Sequence, residues 1–189
     1  MALADLKNAL ANKTVLIVDD DPETMLFVVR TLKTHGISTR LITCLRDAFN
    51  LLNDTEERKK IGLVVIDLQF IGQELPAALL SARQKLGRNA TANNTGQALG
   101  YWLWQQRRDP MRRDNSWPRY VYASISPTFW AMAEDSSVQE LIGGKPESIL
   151  EQFVVGKLVR DGEEFYAALE KAWQAWPALE NGNSAGVAE

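Results

Sequence analysis

The sequence predicts an α/β fold, a doubly wound parallel sheet covered by helices on both faces. Three observations carry the prediction. VLIVD (15–19), GLVVIDLQF (62–70) and RYVYASIS (119–126) are near-continuous apolar runs, the pattern of strands buried on both faces, and QFVVGKLV (152–159) is a shorter one. Segments with helical spacing of apolar residues alternate with these strands, which implies right-handed βαβ units. Finally, four of the five strands end in residues that carry chemistry: Asp19 and Asp20, Asp67, Ser124, and Lys157. A parallel sheet sets all carboxyl ends along one edge, where open α/β sheets place their functional crevice.

Each element has its own warrant. After VLIVD, the run Asp21-Pro22-Glu23 reads as an N-cap followed by proline at the first helical position. Met25, Val28, Val29 and Leu32 then follow at helical spacing, and Gly36 supplies the stop. ISTRLIT (37–43) alternates as a half-exposed strand, and LRDAFNLLNDTEERKK reads as one helix with a charged, fraying end. Beyond the second apolar strand, ELPAALLSARQKL is helix-like and GRNATANN is loose and polar. TGQALGYWLWQQRR (95–108) is a further helix, in which Trp102 and Trp104 lie two apart and cannot share one face. One of the two is therefore expected to be exposed or covered by the preceding segment. Asp161 with Glu164 resembles a capping box opening DGEEFYAALEKAWQAW, and the small, polar tail (177–189) is expected to be disordered.

Composition bounds the function. A chain of 189 residues suits one domain, here expected over 12–176, with a real core. A net charge of −3 gives no electrostatic case for nucleic acid. The basic run RRDPMRR (107–113) reads as helix-end and loop chemistry, and His35 before Gly36 as a partner of the helix dipole. The single cysteine, Cys44, excludes an intramolecular disulfide, fits a reducing compartment and reads as a buried small hydrophobe. No apolar run approaches a membrane span and MALADLKNALANK lacks a secretory core, so a cytoplasmic protein with no membrane contact is expected.

The strand-end residues make a coherent set. Carboxylates with open coordination positions suit Mg²⁺, while a lysine and a hydroxyl supply charge and a donor for phosphoryl oxygens. One carboxylate can act as nucleophile, so the set suffices for phosphoryl transfer onto an Asp. The bland alternative, turn and cap chemistry, is the better reading for Asp21.

The ordered motifs VLIVDDDP, LVVIDLQF, YVYASIS and VVGKLV resemble the receiver domain of two-component response regulators. The resemblance implies a flavodoxin-like five-stranded parallel sheet in the order 2-1-3-4-5. It implies Asp67 as phosphoacceptor and Asp19, Asp20, Asp67 and the backbone carbonyl of Gln69 as Mg²⁺ ligands. It also implies Ser124 as the switch hydroxyl and Lys157 as the lysine on the phosphoryl group. Ser126 shares a strand face with Ser124, and only alignment of YVYAS favours the latter. Lys145 is a rival to Lys157, but it precedes a helix-like segment instead of ending a strand.

The implied role is a stand-alone phosphoacceptor signalling protein, not an enzyme beyond its own phosphorylation and dephosphorylation. A histidine kinase or phosphotransfer protein would donate the phosphate, and output would run through an unknown downstream protein or a homodimer. Two departures stand against the pattern: 57 positions (124 − 67) separate Asp67 from Ser124, and 33 (157 − 124) separate Ser124 from Lys157. The excess falls in 71–94 and about 127–151, and the first reads equally as a lid or partner surface and as a tolerated insertion. With Leu158 in place of the family's proline, these favour the alternative, a phosphorylation-independent pseudo-receiver for docking or dimerisation; the intact acidic set opposes it. A Mg²⁺-dependent phosphohydrolase would want a second Asp two residues after the nucleophile, and Asp67-Leu68-Gln69 lacks it.

Overall fold

The computed structural model describes residues 6–85, 96–109, 117–124, 154–156 and 162–182. Their strands are β1 (Thr14–Val18), β2 (Ser38–Ile42), β3 (Ile61–Asp67), β4 (Arg119–Ser124) and β5 (Val154–Gly156). They form one sheet in the order β2-β1-β3-β4-β5, every neighbouring pair parallel. The helices are α1 (Leu6–Ala9), α2 (Leu26–Thr34), α3 (Leu45–Asn53), α4 (Thr55–Lys60), α5 (Ala77–Lys85), α6 (Gly96–Arg108) and α7 (Gly162–Gly182). None of the described helices is long and apolar enough to cross a membrane.

The period of two along the strands sorts the core into two layers. Leu16, Val18, Val64, Ile66, Tyr120 and Tyr122 face a layer built with α3, α5 and α6. Val15, Ile17, Leu63, Val65, Val121 and Ala123 face the other, built with α1, α2 and α7. Each fully buried aliphatic side chain contributes about 1.5–3 kcal/mol, so this two-sided burial holds the central strands in register. β2, at the edge, keeps the half-exposed alternation that its sequence predicts.

Four local readings change. Helix α2 begins at Leu26 with Met25 as an uncapped N-terminus, so Asp21 is not its N-cap. Residues 22–25 instead form tight turns, the amides of Met25 and Leu26 donating to Pro22 O (3.3 Å) and Glu23 O (3.2 Å). The segment 45–60 is two helices, because Asp54 takes an extended conformation (ψ 120°) and its carboxylate accepts from the amides of Glu56 and Glu57. Both tryptophans of α6 are buried: Trp102 packs on Phe49 and Trp117, and Trp104 on Trp176 of α7. Helix α7 also runs through Pro177 to Gly182, into the stretch expected to be disordered.

Other expectations stand. Gly36 ends α2 at φ +75°, a conformation that L side chains rarely adopt. His35 at that helix end stacks on Tyr166 and its Nε2 lies 3.0 Å from Glu163 Oε1. Arg107 donates to Trp117 O and lies over the Trp176 ring, a helix-end role for the start of the basic run. One expectation does not stand: Cys44, read as a buried small hydrophobe, is only partly buried. The segment 127–151 and Asp161 lie outside the described residues.

Candidate metal and phosphoacceptor site

The strand order reverses between β1 and β3, since β2 lies to one side of β1 and β3, β4 and β5 follow on the other. The carboxyl ends of β1 and β3 therefore border the switch-point crevice. Asp19 directly follows β1 and Asp67 is the last residue of β3. The ladder continues one step past β1, with Asp19 N donating to Ile42 O at 3.0 Å.

This backbone brings together three of the residues the sequence singled out. Asp19, Asp20 and Asp67 each offer a carboxylate oxygen, and these atoms all lie within 4.8 Å of one another. Asp19 is buried and Asp67 is only 7 % exposed, while Asp20 is half-buried. Asp19 Oδ1 accepts from Asp21 N at 2.9 Å, which is the work that Asp21 does in place of capping. Asp20 Oδ2 accepts from Ile71 N at 3.2 Å. Three anions at this spacing, two of them withdrawn from water, repel strongly and call for a cation among them. An all-oxygen donor set of this kind fits Mg²⁺, which prefers carboxylates and retained waters.

The segment after Asp67 is shaped to border the same crevice. Leu68 and Phe70 point into the core and Gln69 between them is exposed, so the strand's alternation persists and leaves residue 69 at the rim. Helix α6 then seats directly on the strand end. Gly96 N donates to Leu68 O at 3.2 Å, and a Cβ at Gly96 would sit 1.8 Å from the carbonyl oxygen of Asp67. Only glycine admits that approach.

The remaining candidates are placed in part. Asp67 pairs with Ala123 across β3 and β4, and the next residue, Ser124, pairs with Gly156 of β5. The backbone of Ser124 thus ends its strand beside Asp67's own. Lys157, Lys145 and Ser126 lie outside the described residues.

No family model matches the chain, and no curated protein matches it. Among solved structures, a sensor protein from Polaromonas sp. JS666 is 17% identical, covers 85% of this chain and 94% of its own, and gives a TM-score of 0.48. The bacteriophytochrome response regulator AtBRR is 15% identical, covers 85% of this chain and 92% of its own, and gives a TM-score of 0.50. That likeness is one of fold, and it agrees with the parallel order β2-β1-β3-β4-β5: the chain has the flavodoxin-like fold of a response-regulator receiver domain.

Proposed function

We propose that this chain is a signalling receiver that accepts a phosphoryl group on Asp67 from a histidine kinase or phosphotransfer protein. One observation carries the reading: the three carboxylates of Asp19, Asp20 and Asp67 converge within 4.8 Å at the switch point of the sheet. Chance would scatter acidic residues between both ends of the strands.

Asp19, Asp20, Asp67 and the carbonyl of Gln69 would hold Mg²⁺, which when bound supplies the positive charge that neutralises phosphoryl oxygens. Asp67 is the nucleophile: a carboxylate oxygen forms the new bond to phosphorus as the bond to the leaving group breaks, and the leaving group departs with the electron pair. Gly96 fixes the main chain behind that carboxylate, and burial of Asp19 and Asp67 withdraws two of the three carboxylates from bulk water. Ser124 and Lys157 are the proposed hydroxyl and ammonium that close on the phosphoryl oxygens. The added charge is the signal, read by a downstream protein through the surface it reshapes.

Incubation with acetyl phosphate and Mg²⁺, followed by intact-mass measurement, tests the reading. The expected result is one phosphoryl adduct, lost in Asp67→Ala and in Mg²⁺-free buffer. No adduct in the wild type overturns it and leaves a phosphorylation-independent docking module; an adduct that survives in Asp67→Ala overturns Asp67 as the acceptor.

A further inference from the structure

A cycle of hydrogen bonds runs through the acidic pair and closes on a residue outside it. Asp19 N donates to Ile42 O at 3.0 Å. The next carbonyl along, that of Thr43, accepts from Gln73 Nε2 at 2.9 Å. Two residues back from Gln73, Ile71 N donates to Asp20 Oδ2 at 3.2 Å, and Asp20 is bonded to Asp19. Gln73 Oε1 meanwhile accepts from Leu45 N at 2.8 Å, at the first turn of α3, whose own N-cap residue Cys44 makes no side-chain cap. The side chain of Gln73 therefore uses both ends of its amide, one as donor and one as acceptor.

The backbone between the two anchors is built for that reach. Gly72, between Ile71 and Gln73, has φ +67°, a turn that L side chains rarely adopt. It lets the amide of Ile71 face Asp20 while the next side chain crosses to the β2–α3 connection. Glu74, one residue on, pairs with Arg46 of α3 and ties the same segment to the same helix.

We propose that Gln73 is a positioning residue for the carboxylate of Asp20. By fixing residues 71–73 to the β2–α3 connection, it holds the Ile71 amide on Asp20 Oδ2 and so fixes the orientation of that carboxylate beside Asp19 and Asp67. The inference rests on the metal-site reading for its consequence and on the hydrogen-bond cycle for its cause, and the two are separable. Amides that orient a metal-ligating carboxylate set affinity as well as geometry, and loss of such outer partners costs about 10–100-fold in metal binding. Gln73 acts one step further out, so the low end applies.

The experiment compares wild type, Gln73→Leu and Gln73→Glu by two readouts. Calorimetric titration with Mg²⁺ is expected to give about tenfold weaker binding for Gln73→Leu. Gln73→Glu keeps the acceptor for Leu45 N, loses the donor to Thr43 O, and is expected in between. Amide hydrogen exchange of Ile71 in Mg²⁺-free protein is expected to quicken in the same order. A lower melting temperature for Gln73→Leu with Mg²⁺ affinity and Ile71 exchange unchanged is what a merely structural residue would show, and overturns the proposal. If Gln73→Leu does not fold, Gln73→Glu carries both readouts. If the wild type binds no Mg²⁺, the metal-site reading fails, and Ile71 exchange alone decides whether Gln73 holds the segment.

Discussion

Gly96→Ala should cost stability that no neighbouring side chain can recover. The added methyl would lie 1.8 Å from Asp67 O, 2.9 Å from Asp67 C and 3.2 Å from Leu68 Cα. Ordinary contact begins near 3.4 Å, so the start of α6 must move by about 1.6 Å (3.4 − 1.8) away from β3. Overpacking of this kind costs about 1–3 kcal/mol, and displacement also loosens the Gly96 N to Leu68 O bond, worth about 1 kcal/mol. Replacing glycine by alanine in a helix returns at most about 1 kcal/mol. The net is a loss of about 1–3 kcal/mol, read in urea as a midpoint lower by about 0.5–1.5 M if the slope is about 2 kcal/mol/M. Gly100 is the contrast, because there a Cβ would meet Tyr122 Oη at 2.1 Å, a side-chain atom. Gly100→Ala should thus be partly rescued by Tyr122→Phe, whereas no truncation rescues Gly96→Ala. An unchanged midpoint for Gly96→Ala would refute the close seating of α6 on the end of β3.

Three further outcomes follow from the same structure. Asp67→Asn should raise the stability of the Mg²⁺-free protein at neutral pH by about 1–2 kcal/mol, since it removes one of three like charges, and calorimetric melting with added Mg²⁺ should show the advantage cancelled. Trp176→Ala should cost about 3–5 kcal/mol in denaturant unfolding, because the ring is fully buried and its Nε1 donates to Tyr120 O at 3.0 Å. The amides of Glu57 and then Glu56 hold the Asp54 carboxyl below its ordinary value of 3.8. A depressed folded value gives stability that is present above pH 3.8 and lost as pH falls through it, so melts of wild type and Asp54→Ala should differ at neutral pH and converge in acid.

What the sequence made legible was decided by how local the governing interactions are. The strands could be read because β1 and β3 are buried on both faces and allow only apolar side chains. Asp19, Asp20 and Asp67 could be read because a parallel sheet gathers its carboxyl ends whatever the loops do. The break at Asp54 was missed although Asp-Thr-Glu-Glu carries a helix-start signal, because the apolar spacing before it invited one continuous helix. The tryptophans of α6 were misjudged because a single-face rule fails for a helix flanked by Trp117 and Phe49 on one ring and by Trp176 on another. Gln73 was invisible for a different reason: its partners Leu45 and Thr43 lie 28 and 30 positions away, and no periodicity encodes a side chain that caps another segment's helix.

These anchors bear on the long connection between Asp67 and β4. Its first residues, 71–73, are fixed to Asp20 and to the β2–α3 connection, and Gly96 fixes the start of α6 to Asp67 and Leu68. Both anchors act on the pocket directly, and both are backbone or near-backbone contacts with tight geometric tolerance. Loop closure penalises added length weakly, by about 0.6 kcal/mol for each doubling, so extra length between the two anchors costs little while the anchors hold the carboxylates in place. Selection on the proposed phosphoacceptor chemistry would therefore act on Ile71 to Gln73 and on Gly96, while α5 answers to the packing of Leu79 and Ala82 in its core layer.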